Sequence, residues 1–481
     1  RSVSVLHVSR GGSSQPAVPQ PSQAVPTAVL TGGDTNDTPS SATPSKSKFP
    51  IAKREFPQFA QMSILMFLFI YVFTTARDTK DTLIVSSAGA EAIPFLKLYG
   101  VMPCATLFIV GYSKLSDAVG KHTLFCTTVL SFFAFYVLFA FVLFPLRDTL
   151  HFLPAPGVTS SPALLLLRYW SYSLYFIVSE LYASAGVPLL FWQCANDVTS
   201  LSKAKRFYPL FAVTGNLAPI VSGKIMGWVV SRQKSQDDVG FGQTLRTLAL
   251  IKVGICVGIL GIYRLVYRTG GNTDDETADN QTVAFKKPKK KKVPLSQSIA
   301  ELSKSKELRS MAIMVLCYNV CIELTEVLWK GLLRKTYTSK SSYMGFMAGF
   351  SQTVGVIAFV MQLGVTQIIE KLGWKRTALI PPIAMGLLAL PFFGAVMLLP
   401  KDGSSTTGRW GMTIATALTI GTAQNVISKV SKYSLFDPCK EMAYIPLGPE
   451  AKVKGKAAVD VLGARLGRSL GSASQQAMVL V

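Results

Sequence analysis

Apolar residues in this chain gather in long runs, and the runs are divided once by a polar stretch, 270–307. A helix crossing a hydrocarbon core of about 30 Å needs about 20 mainly apolar residues. Runs of that length cover 58–76, 92–113, 123–146, 163–191, 207–230 and 245–267 before the polar stretch, and 309–333, 343–369, 377–399 and 410–430 after it. A further segment, 457–481, is amphipathic and dotted with glycine, and reads as an eleventh span that breaks off at Val481. The pattern predicts an all-α integral membrane protein with ten full spans and part of an eleventh. Four regions follow: a tail at 1–56, a six-helix bundle at 57–268, a linker at 269–307 and a second, incomplete bundle at 308–481.

The tail is rich in Ser, Pro, Thr, Gly and Ala and lacks apolar periodicity, so it is expected to be disordered. It fits an organellar transit-peptide remnant or a plain flexible tail. Six spans place tail and linker on one side of the membrane. Both are basic: the tail carries Lys46, Lys48, Lys53 and Arg54, and the linker carries Lys286, Lys287 and Lys289 to Lys292. Basic loops mark the cytosolic or stromal side. A lysine block can also address the nucleus or nucleic acid, but between apolar spans it reads as a water-exposed bridge. Only 16% of residues are charged and the mean hydropathy is +0.36, where a soluble chain carries about a quarter charged residues. The net charge of +23 is therefore read as membrane topology. The seven cysteines form no CxxC pair and the three histidines no cluster, so neither a disulfide framework nor a zinc site is expected.

The halves share a motif. Asp117-Ala118-Val119-Gly120-Lys121 follows span two, and Glu370-Lys371-Leu372-Gly373-Trp374-Lys375-Arg376 follows span eight, offset by 253 residues. Acid, glycine three residues later, then base resembles the loop after the second helix of each half in major-facilitator transporters. The glycine permits a tight turn. The resemblance implies a six-plus-six repeat.

Ionisable groups inside a span are costly unless paired or facing water, which makes each a functional candidate. The first span ends in Arg77-Asp78-Thr79-Lys80-Asp81, which reads as an interfacial anchor or as part of a site. Lys97 starts span two, and Glu180 lies too deep in span four to reach water along its helix. Span seven holds Glu323, Glu326 and Lys330, with Arg334 beyond; Glu326 and Lys330 share a helix face and can pair. Cations lining one face of a cavity would suit an anionic substrate. Phe191-Trp192-Gln193-Cys194-Ala195-Asn196-Asp197 offers aromatic and amide groups to a flat heterocycle, or an interfacial aromatic belt. Near the end, Lys452, Lys454 and Lys456 surround Gly455, a composition suited to phosphate. No GxxxxGK[ST] loop occurs and Gly455-Lys456 is followed by Ala457, which argues against ATP hydrolysis as the driving reaction.

From about Lys53 to Val481 the chain resembles the nucleotide transporters of the ATP/ADP translocase type found in plastids and intracellular bacteria. The resemblance rests on Arg77-Asp78-Thr79-Lys80-Asp81, Ile93-Pro94-Phe95-Leu96-Lys97, Leu190-Phe191-Trp192, Arg206-Phe207-Tyr208-Pro209-Leu210-Phe211, Ser431-Lys432-Tyr433-Ser434-Leu435-Phe436-Asp437-Pro438 and Lys452-Val453-Lys454-Gly455-Lys456-Ala457-Ala458-Val459-Asp460. It implies about twelve helices of major-facilitator type and nucleotide exchange or uptake. Four intramembrane charges functional in the family fall on Lys97, Glu180, Glu326 and Arg468. Members usually carry Gly-Lys-Ser-Gly-Gly at the last site, where this chain has Gly467-Arg468-Ser469-Leu470-Gly471. Arginine keeps the charge and gains a bidentate fork. Family members also continue past the point where this sequence ends.

The expected partners are a nucleotide and the bilayer, without nucleic acid and without a cofactor. Lys97 and Arg468 would bind phosphate from opposite halves, and Glu180 and Glu326 would balance the empty site. Exchange would follow if unneutralised lysines resist burial in the empty carrier. Proton-coupled nucleotide import competes with exchange. A lipid-linked transferase would need acids or histidines clustered at a membrane face, and a membrane scaffold would need no buried charges in both halves. The plastid inner envelope fits the leader and the family; a plasma membrane also fits.

Overall fold

A computed structural model of the chain describes residues 51, 54–151, 161–199, 201–233, 235, 237–270, 306–400, 411–443, 459 and 464–480. The N-terminal tail, the lysine-rich linker, Lys454 and Lys456 lie outside the described residues. Among the described residues the regular elements are all helical. The first half holds α1 (Phe56–Ser87), α2 (Ala92–Ala118), α3 (Lys121–Leu143), α4 (Trp170–Val198), α5 (Arg206–Ser231) and α6 (Asp238–Gly270). The second half opens with α7 (Lys306–Thr336). A 58-residue helical stretch, Lys340–Met397, follows; Gly373 divides it into α8 (340–372) and α9 (374–397). Ile414–Ser431 and its continuation to Ala443 form α10, and Ala464–Leu480 forms α11.

Eight of these stretches, Lys340–Met397 taken as one, are long and apolar enough to cross a membrane. Helices suit that medium because each satisfies its own peptide groups where no water can. Large apolar side chains such as Leu107, Val257, Leu387 and Leu390 stand exposed on outer faces, as a lipid-facing surface allows. The interior of the first half is aromatic. Phe125 stacks on Tyr263 with centroids 3.8 Å apart, and Phe139 meets Tyr175 at 4.5 Å.

Several boundaries differ from the sequence expectation. The first span does not end at residue 76. α1 runs on to Ser87 and buries Asp78, Thr79, Lys80 and Asp81. Thr79 and Thr82 donate back to the carbonyls of Thr75 and Asp78, and the charges find partners on other helices, so nothing stops the helix there. The fourth span does not begin at 163. A short helix, Pro162–Arg168, ends at Tyr169 (φ −92°, ψ 42°), and α4 continues to Val198. At the shared loops, Gly373 takes φ 76°, ψ 156°, a conformation almost exclusive to glycine. Gly120 (φ −64°, ψ 152°) has ordinary extended backbone that any residue adopts, so the glycine argument holds in the second half alone.

A second internal likeness emerges in three dimensions. Wider, π-helical turns span Gly186–Phe191 in α4 and Lys432–Phe436 in α10. Leu190, Phe191 and Cys194 occupy the places in the first that Leu435, Phe436 and Cys439 occupy in the second. Such turns re-aim side chains and recur at functional sites. A further one, Leu96–Val101, holds Lys97.

The halves meet closely where α5 runs along α8. Small residues permit this, as is usual between membrane helices. A Cβ on Gly223 would lie 2.5 Å from the carbonyl oxygen of Ala348 and 2.9 Å from the backbone nitrogen of Gln352. At the near end of the same face Lys340 on α8 pairs with Asp238 on α6 at 2.6 Å, and Arg147 approaches Asp238 at 3.5 Å. Just before α6, Asp237 accepts from the Gly240 backbone N–H at 2.9 Å, and that bond holds its carboxyl below the ordinary range. Gly223→Val is expected to destabilise the protein by about 1–3 kcal/mol through overpacking, read as a lower unfolding temperature in detergent. Gly254→Ala, where no atom of another element lies within 4 Å of the added Cβ, should leave stability unchanged or raise it by up to about 1 kcal/mol.

Candidate functional site

A cavity of about 360 Å³ lies between the halves, lined by α1, α2, α4, α7, α10 and α11. Five cations reach it, Arg77, Lys80, Lys97, Lys330 and Lys429, and four carboxylates, Asp81, Glu180, Glu323 and Glu326. Its size falls within the range of small-molecule sites, about 300–1,000 Å³. The remaining wall is apolar or weakly polar, with Phe73, Val101, Met102, Tyr433, Ser469 and Ser472 among its members.

The charges form a ladder of alternating sign. Glu180 on α4 meets Lys80 on α1 at 3.1 Å, and Lys80 meets its neighbour Asp81 at 2.8 Å. Asp81 reaches across to Lys330 on α7 at 2.9 Å. Lys330 holds Glu326 one turn earlier at 3.0 Å, and Glu326 meets Lys429 on α10 at 3.4 Å. The middle of the ladder is buried: the side chains of Lys330 and Asp81 are 4% and 2% exposed. Lys80 also lies over the Phe176 ring, 3.9 Å from its centroid, a placement that attracts a cation to the ring face. Burial of isolated ions costs several kcal/mol each, and only close, repeated pairing offsets it.

Two further contacts join the halves. Lys97 on α2 pairs with Glu323 on α7 at 2.5 Å. On α1, Arg77 pairs with Asp78 at 3.0 Å and donates to Ser351 of α8 at 2.8 Å; Ser351 donates to Asp78 at 2.6 Å. These ties draw on the second half of α1, the first turns of α2, and the middle and last third of α7.

Of the residues singled out in the sequence, Arg77, Lys80, Lys97, Glu180, Glu326 and Lys330 line this one cavity. Asn196 does not: its side chain accepts from the Tyr208 hydroxyl at 2.7 Å. The aromatic stretch beside it is also elsewhere, with Phe191 fully buried against Phe211. Arg334 stands near Gly89, outside the cavity. Arg468 is carried by α11 between Gly467, whose added Cβ would lie 2.8 Å from the Leu316 carbonyl oxygen, and the cavity residue Ser469; its own side chain lies outside the described residues.

Sequence reasoning passed over Lys429, and it noted Asp78, Asp81 and Glu323 without giving them a role in a site. Lys429 had a signal: it is a lone lysine within an apolar run. Asp78 and Asp81 were hidden by ending the first span too early. For Glu323 the missing information was its partner, 226 residues away.

The family model for the TLC ATP/ADP transporter matches residues 36–481. The chain belongs to the TLC ATP/ADP transporter family. Relatives within it include "ADP,ATP carrier protein 1" of Chlamydia pneumoniae, 35% identical over 450 residues, 90% of this chain and 86% of that protein. "ADP,ATP carrier protein 2, chloroplastic" of Arabidopsis thaliana is 35% identical over 93% of this chain and 73% of its own length. "ADP,ATP carrier protein 4" of Rickettsia bellii is 34% identical over 90% and 85%. Among solved structures, a bacterial homologue of the iron transporter ferroportin in an inward-facing state aligns with a TM-score of 0.59 at 13% identity, over 88% of this chain and 91% of that one. The xylose transporter XylE from E. coli, inward open, aligns with a TM-score of 0.52 at 13% identity, over 87% and 88%. The TLC chain thus has the transporter fold expected from its shared loops, and it is a transporter, not an enzyme.

In the TLC cavity Lys330 has two carboxylates and Asp81 two lysines. Asp81→Ala therefore removes one partner from each of two buried lysines. A loss of about 3–5 kcal/mol is expected for breaking a buried pair, read from chemical or thermal unfolding. Adding Lys330→Met should restore part of that loss, because the excess positive charge goes with it.

Proposed function

We propose that the protein exchanges ATP for ADP by alternating access, with its two halves rocking around the central cavity. The observation that carries this reading is the convergence of five cations from α1, α2, α7 and α10 on one membrane-embedded cavity. Nucleotide phosphates are the anions such a cavity suits, since charge-assisted contacts to phosphate are short and strong. The printed names of the relatives, ADP,ATP carriers of Chlamydia, Rickettsia and chloroplasts, point the same way. Lys97 is the proposed phosphate ligand of the first half and Arg468 that of the second. Glu180 and Glu326 hold Lys80, Lys330 and Lys429 in place while the site is empty.

The proposed topology is ten full spans and a partial eleventh. A first bundle at 57–268 and a second at 308–481 are joined by the basic linker, which lies with the tail on the cytosolic or stromal side. The plastid inner envelope is the proposed membrane, on the Ser-rich tail and the chloroplastic relatives; the Chlamydia and Rickettsia relatives make a plasma membrane the alternative.

The structure changes how exchange would arise. The cavity lysines are not left unneutralised: Lys80, Lys97, Lys330 and Lys429 each have a carboxylate within 4 Å. Resistance of the empty carrier to reorientation must come from breaking those pairs, not from burying bare lysines.

The test is uptake of radiolabelled ATP into vesicles, with and without preloaded ADP. Uptake strongly stimulated by internal ADP is expected. Uptake indifferent to internal nucleotide but driven by a proton gradient would replace exchange with proton-coupled import. No uptake of any nucleotide by correctly folded protein would leave a membrane scaffold. Lys97→Ala should weaken ATP binding by about 10- to 100-fold, the worth of one charge-assisted contact, as measured by calorimetry; unchanged binding would remove its phosphate role.

A further inference from the structure

The pairs in the cavity are not equivalent. Asp81 and Glu326 each hold two lysines, and Lys80 and Lys330 each hold two carboxylates. A member of that ladder can yield one partner to a ligand and keep another. Lys97 and Glu323 form a one-to-one couple: among the described residues, each is the other's one ion-pair partner, at 2.5 Å.

Glu323 is held firmly at that spot. Its backbone carbonyl accepts from the Gln475 side chain of α11. A Cβ added to Gly471 of α11 would lie 3.0 Å from the Glu323 Cβ, so α11 packs directly on its stem. The carboxylate side chain is 8% exposed, yet both it and Lys97 line the cavity. The couple also joins the halves, since α2 belongs to the first and α7 to the second.

We propose that Glu323 is a built-in stand-in for substrate phosphate and the tie that makes transport an exchange. In the empty carrier its carboxylate occupies Lys97. Moving the halves apart at this pair would then separate two charges in a poorly solvated interior with nothing to replace either partner. A bound nucleotide supplies the replacement at Lys97: a phosphate takes the lysine, Glu323 stays on the wall of the cavity it lines, the tie is already released, and the halves are free to move. Glu323 is thus a positioning residue that couples cavity occupancy to reorientation. The inference rests on the reading of Lys97 as a phosphate ligand, and its test separates the two.

Wild-type, Glu323→Gln and Asp148→Asn proteins are reconstituted in vesicles. Asp148 lies outside the cavity with its side chain 85% exposed and controls for the loss of one negative charge. Radiolabelled ATP uptake is compared with and without internal ADP, and ATP affinity is measured by calorimetry. For Glu323→Gln the stimulation by internal ADP should fall at least threefold, through increased uptake into ADP-free vesicles, and ATP should bind at least threefold more tightly because Lys97 is free. Asp148→Asn should match wild type. Stimulation and affinity both unchanged in Glu323→Gln, with Lys97→Ala still weakening ATP binding, would overturn the tie and leave the phosphate site standing. No ATP binding by the wild-type protein would overturn the nucleotide reading and the tie with it. If Glu323→Gln does not reconstitute, Glu323→Asp is read in the same way: the shorter side chain lengthens the pair, and stimulation should fall in part. Stimulation unchanged in the aspartate variant would contradict the proposal.

Discussion

The cavity charges sit inside a bilayer-spanning bundle, where an unpaired ion is costly, and their pairs are shared between the halves. That constraint governs the rest of the structure. α1 continues past residue 76 because Asp78, Lys80 and Asp81 each find a partner. α7 brings Glu323, Glu326 and Lys330 to the cavity and meets Lys97, Lys429 and Asp81 there. Neither half can satisfy its interior alone, since Asp81 needs Lys330 and Lys97 needs Glu323. The halves therefore meet through the chemistry of the cavity as well as through the tight α5–α8 contact at Gly223.

The same arrangement makes the cavity responsive. A ladder with nearly equal numbers of cations and carboxylates is stable when empty. In the proposed exchange a nucleotide phosphate replaces a carboxylate as the partner of a cavity lysine, and uptake and release are linked to the pairs that join the halves. The protein needs no covalent step for this. Its work is done by substituting one partner for another where water is scarce and each unpaired ion is costly.

Much of this was legible in the sequence, for a physical reason. Apolar runs of about 20 residues announce spans, and a rare ionisable residue inside such a run announces a site. That logic found Lys97, Glu180, Glu326 and Lys330, and the family motifs added Arg77 and Lys80. It failed where the run itself was misjudged. Asp78 and Asp81 looked like the end of a helix because Ser351 and Lys330, which meet them from the other half in addition to their neighbours Arg77 and Lys80, are more than two hundred residues away. The likeness of α4 and α10 around their π-helical turns was equally hidden, since it rests on three residue types spread over a turn and a half. Asn196 and its aromatic neighbours show the opposite error. Their composition suited a heterocycle, but they pack at the end of α4 against Tyr208 and Phe211.

The most direct test of the central claim, that nucleotide phosphate competes with carboxylate for the cavity lysines, is the structure of the protein with ADP bound. The account predicts a phosphate oxygen at Lys97 Nζ and a Lys97–Glu323 separation increased from 2.5 Å to beyond the ion-pair limit of about 4 Å. ADP seated in the cavity with that pair intact, or bound away from Lys97, would contradict it.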